Sequence, residues 1–129
     1  KDPITKTQGN YVSLEIPRGF GDVGESPTET AYREFGEETG KLIRNLYFIG
    51  RENCNTAFFV SPGVKVYAIE TEPDIIDYSK LDLKEPILKC DFYKYGEVRE
   101  KVRKGDIICG KTLSGLMLFD TFLESLKQK

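Results

Sequence analysis

Three glutamates, Glu34, Glu37 and Glu38, stand at i, i+3 and i+4. Residues three and four apart stack on one face of a helix. Three carboxylates on one face, with only Arg33 beside them, repel each other, and a helix that tolerates this usually has a cation to hold. Oxygen-only ligands suit a hard divalent ion, Mg²⁺ or Mn²⁺. The competing reading is a solvated acidic helix. The chain has no histidine, so a Ser-His-Asp triad, a Cys-His pair and a histidine-bound zinc are all excluded. Acid–base and metal chemistry must then come from carboxylates, lysine, tyrosine or metal-bound water.

The residues around the glutamates predict how they are positioned. Gly19, Gly21 and Gly24 make a loop that can approach a ligand closely. Ser26 is placed to cap a helix, Pro27 stands at its first position, and Glu29 has the capping-box spacing. Gly40 is a natural C-terminal stop. The predicted helix covers about residues 27–39, with Ala31, Tyr32, Phe35 and Thr39 as its core-facing stripe.

The stretch Gly19–Lys41 resembles the Nudix box, G-x5-E-x7-R-E-U-x-E-E-x-G-U, where U is bulky and apolar. Gly19, Glu25, Arg33, Glu34, Phe35, Glu37, Glu38 and Gly40 fill its positions, and Lys41 departs from the last U. The resemblance implies metal binding by Glu34, Glu37 and Glu38, with the Gly19 carbonyl completing the site. It implies an accessory role for Glu25 and a structural one for Arg33. Upstream, L-E-I-P-R-G-F resembles the subgroup that hydrolyses ADP-ribose and related nucleoside-diphosphate sugars, and the segment from Gly105 to Phe119 resembles the C-terminal part of that subgroup. In the subgroup the general base tends to come from a glutamate on a loop outside the box. Glu85 holds that position here, with Glu72 and Asp74 as rivals. Glu37 and Glu38 are the box candidates for activating a metal-bound water. Arg18 and Arg51 are candidates for phosphate or terminal ribose, and Tyr11, Phe58 and Phe59 for stacking on a base or for the core.

At 129 residues and net charge −2, the chain predicts one domain, residues 1–129, without a nucleic-acid-binding surface as its main business. No apolar run is long enough for a membrane span. Three separated cysteines, Cys54, Cys90 and Cys109, read as reduced thiols of a cytoplasmic protein. Strands are predicted over 11–16, 42–50, 56–70 (broken at Ser61-Pro62-Gly63) and 87–95, and a surface loop over 71–86. Helices are predicted over 97–104 and 111–127, the latter capped at Thr112 with Leu113, Leu116, Met117, Leu123 and Leu126 as its stripe. This order predicts an α/β protein, and the resemblance implies an α/β/α sandwich with a mixed β-sheet. The subgroup also carries strands ahead of the box strand that help form a dimer. Only about ten residues precede Tyr11, so the chain reads as lacking them, with a homodimer expected when the N-terminal segment is present.

The leading expectation is a Mg²⁺- or Mn²⁺-dependent pyrophosphohydrolase of a small-molecule nucleotide, with ADP-ribose or a nucleotide sugar favoured. Hydrolysis of a nucleoside triphosphate or dinucleoside polyphosphate is the alternative within the class. A catalytically silent nucleotide sensor is the alternative outside it.

Overall fold

The computed structural model describes residues 13–19, 21–52, 64–84 and 90–128, with 73–75 described by backbone alone. Helix α1 runs Pro27–Thr39. Ser26 Oγ accepts the Glu29 N–H at 3.1 Å and Glu29 Oε1 accepts the Ser26 N–H at 2.9 Å, the reciprocal capping box. The helix ends where Gly40 turns left-handed (φ 69°) and returns its N–H to Gly36. A β-carbon at Gly40 would also press on Ile76 Cγ2 at 3.0 Å.

Strand β1 (Lys41–Glu52) follows at once and pairs antiparallel with β2 (Val64–Ile76), with Tyr47 opposite Ala68 and Phe48 opposite Tyr67. Register shifts interrupt the ladder between Lys41 and Ile43, Ile43 and Asn45, and Phe48 and Gly50. Among the described residues these two strands are the whole sheet. Helix α2 spans Tyr95–Lys104 and α3 spans Gly110–Lys127. Helix α3 packs on both strands, and so does α1. At one contact, a β-carbon added to Gly50 would lie 2.7 Å from Leu118 Cδ2. The Tyr95 hydroxyl and the Arg99 guanidinium both donate to Asp120, which ties α2 to α3. Ile107, Thr39 and Thr112 are the buried side chains that mark the described core. No helix among the described residues is long and apolar enough to cross a membrane.

Several expectations need correction. The loop predicted over 71–86 is strand through Ile76, then a short 3-10 turn at Tyr78–Lys80. Its later part closes on the end of α1, where the Asp77 N–H donates to Gly40 O and the Asp82 N–H to Glu37 O. Residues 90–94 of the strand predicted over 87–95 have no regular structure, and Tyr95 opens α2. Residues 13–16 of the predicted 11–16 strand are likewise not strand. Tyr32, Met117 and Leu126, assigned to core stripes, are exposed at 46%, 67% and 48%. Thr112 does not cap α3, whose N-cap is Cys109. Residues 11–12, 56–63 and 87–89 of the predicted strands lie outside the described residues.

Candidate active site

The glutamates of α1 are organised by Arg33. Its Nε donates to Glu25 Oε2 at 2.8 Å and its Nη2 to Glu25 Oε1 at 2.9 Å, a two-pronged fork. Its Nη1 donates to Glu34 Oε1 at 2.9 Å and to Glu37 Oε1 at 3.1 Å. Asp22 Oδ2 stands 3.4 Å from Nε. One guanidinium therefore serves four carboxylates. Five fixed donors in one plane allow this, and a lysine ammonium could not reproduce it. Hydrogen bonds to Glu25 and then to Glu34 and Glu37 push the Arg33 pKa upward, so its charge is permanent.

Glu25 is held on every side. It accepts the Asp22 N–H at 2.9 Å and the Thr30 hydroxyl at 2.8 Å as well as the fork. The Arg33 hydrogen bond, and after it the Asp22 amide, bring its pKa down from 4.5 to about 2. This joins the glycine loop to the first turns of α1. The resemblance implied roles of this kind for Glu25 and Arg33, but the parts of Asp22 and Thr30 went unread. Aspartate in a glycine loop and threonine on a helix carry no signal of such a role.

The remaining contacts converge on two backbone residues, Arg18 and Gly19. Glu38 Oε2 accepts the Arg18 N–H at 3.0 Å. A β-carbon on Gly19 would lie 2.0 Å from Glu34 Cδ, so the Glu34 carboxylate can take this position only beside a glycine. Glu34 and Glu38 thus flank the same dipeptide, while Glu37 turns to Arg33. The Arg18 side chain is about half exposed and pairs with Glu15 at 3.1 Å.

Other candidates lie elsewhere or beyond description. Arg51 is exposed on β1 opposite Lys65, ten positions from Lys41 (51 − 41), roughly 30 Å at ordinary strand rise. Glu72 is forked by Arg44 at 3.0 Å, which lowers its pKa. Glu85, Tyr11, Phe58, Phe59 and the Asp74 side chain lie outside the described residues.

Lys41, where the box has an apolar residue, places its ammonium 4.7 Å from the centre of the Phe92 ring. The lysine stem can cover apolar surface while its charge meets the ring face.

Among the described residues no three Asp, Glu, Cys or His side chains are gathered as a ready metal cage. The donor chemistry still fits a hard divalent ion. Glu34 and Glu38 offer carboxylate oxygens beside a glycine that leaves room for close approach.

The NUDIX domain family matches residues 4–100. The chain belongs to that family, whose members hydrolyse derivatives of nucleoside diphosphates, generally with a divalent metal. Comparison with curated proteins gives no match, and comparison with solved structures gives none either.

Proposed function

We propose that this protein is a Mg²⁺- or Mn²⁺-dependent pyrophosphohydrolase whose favoured substrate is ADP-ribose or a nucleotide sugar. The products are a nucleoside monophosphate and a sugar phosphate. The observation that carries the reading is the pair Glu34 and Glu38 flanking Arg18–Gly19. The substrate preference rests on the L-E-I-P-R-G-F sequence leading into that dipeptide. The full α/β/α sandwich, a cytoplasmic location and a homodimer belong to the same reading.

Glu34, Glu37, Glu38 and the Gly19 carbonyl would hold the ion. Bound there, it would supply charge neutralisation for the diphosphate and activation of the attacking water. Arg33 keeps Glu34 and Glu37 together against their mutual repulsion. Glu25 fixes Arg33, and so sets the glycine loop against α1. The Arg18 amide orients Glu38. The proton of the attacking water goes to Glu37, Glu38 or Glu85. The Arg18 guanidinium is available to a phosphate in exchange for its exposed partner Glu15.

A Mg²⁺-dependent product screen over nucleotide sugars, dinucleoside polyphosphates and nucleoside triphosphates tests the proposal. ADP-ribose should give the highest kcat/KM. Faster cleavage of a triphosphate would replace the substrate assignment, and binding without turnover of any of them would replace the enzyme reading by a nucleotide sensor.

A further inference from the structure

We infer that Thr112 and Gly115 of α3 are positioning residues for the Arg18–Gly19 dipeptide, and through it for Glu38 and Glu34. The catalytic part of this inference rests on the function proposed above. Helix α3 begins at Gly110, beyond the residues 4–100 that match the family.

Thr112 is 2% exposed, and its hydroxyl is not used for capping. Its Oγ1 accepts the Ile16 N–H at 3.2 Å, across 96 residues of sequence. Gly115 is the next residue on that helical face and is also buried. A β-carbon there would lie 2.6 Å from Ile16 Cδ1. The helix therefore holds both the backbone and the side chain of Ile16.

Residues 13–19 have no regular structure, so a sheet ladder does not fix their position. Ile16 lies two residues before Arg18, roughly 7 Å of extended chain. Pro17 stands between them and fixes one backbone angle. Displacement at Ile16 thus carries to the Arg18 N–H on Glu38 and to Gly19 against Glu34. The Ile16 N–H is half-buried, and once its acceptor is removed it must turn toward water or remain unsatisfied.

Amide hydrogen exchange on the metal-free protein tests the positioning without reference to activity. Thr112→Val keeps the shape and removes the acceptor. It should speed exchange at Ile16 and Arg18 by about five- to tenfold while leaving the middle of α1 unchanged. Thr112→Ser should restore slow exchange. Gly115→Ala retains the acceptor and favours the helix, yet pushes on Ile16, and should also speed exchange at Arg18. Leu118→Ala, which loosens α3 at Gly50 instead, should leave Arg18 unchanged. In turnover assays Thr112→Val should lower kcat and raise the Mg²⁺ concentration needed, with KM little changed and Thr112→Ser close to the parent. Unchanged exchange at Arg18 in Thr112→Val, or an equal increase in Leu118→Ala, overturns the inference. If the parent protein turns over none of the nucleotides, the proposed function fails, and the exchange data still decide whether α3 positions the dipeptide.

Discussion

The α-carbon of Gly19 stands so close to Glu34 that a β-carbon on it would lie 2.2 Å from Glu34 Oε2. A glutamate side chain can swing away from such a clash, so the fold should tolerate Gly19→Ala. The position of the carboxylate should not. Gly19→Ala is expected to lower kcat/KM on the order of 10²–10³-fold, the usual loss when a preorganised electrostatic group is displaced. The thermal midpoint should change little. Steady-state kinetics and a melting curve on the same preparation check both parts.

Glu25 gives a pH signature. Its folded pKa is lowered from 4.5 to about 2, first by the Arg33 hydrogen bond and then by the Asp22 amide. A depressed carboxylate contributes stability that is fully present above its unfolded pKa and is lost as pH falls through the folded one. The contribution should therefore fade from about pH 4.5 down to about pH 2. Glu25→Gln should flatten that part of the profile, and Arg33→Met should flatten it in part, since it removes the larger cause and leaves the Asp22 amide. Thermal midpoints measured between pH 2 and 6 show whether the three profiles differ in that window.

How much of this was legible in the sequence depends on the range over which each residue acts. Helix α1 was readable to its ends because Ser26, Pro27, Glu29 and Gly40 act within a few residues of themselves. Which side of a helix is buried is decided by distant elements, and so Tyr32 and Met117 were misassigned to the core. The segment 71–76 looks like a loop because it is acidic and contains Pro73, yet pairing with β1 makes it strand. The glutamates and Arg33 announced themselves by spacing and by a family motif. Thr112 did not, since its partner Ile16 lies 96 residues away and a single threonine has no pattern.

Lys41 and Phe92 supply a test of the box's one departure. Phe92 is 69% exposed with the Lys41 ammonium over its ring. An exposed pair of this kind is worth about 0.5–1 kcal/mol. Lys41→Leu, Phe92→Ala and the double variant should give a coupling of that size in a denaturation cycle. Lys41→Leu should leave kcat within about twofold, because the final box position carries packing and no chemistry.

Metal binding by the α1 glutamates is tested by Glu38→Gln with Mg²⁺-dependent turnover as the readout. The amide oxygen can still accept the Arg18 N–H, so the dipeptide stays in place while one negative charge leaves the site. The expected result is a rate loss on the order of 10²–10³ with the metal-free melting temperature unchanged or higher. Glu29→Gln is the control, since that carboxylate serves only the Ser26 capping box among the contacts described, and it should keep nearly full activity. Glu38→Gln with nearly full Mg²⁺-dependent activity, or equal losses in both variants, would contradict the assignment.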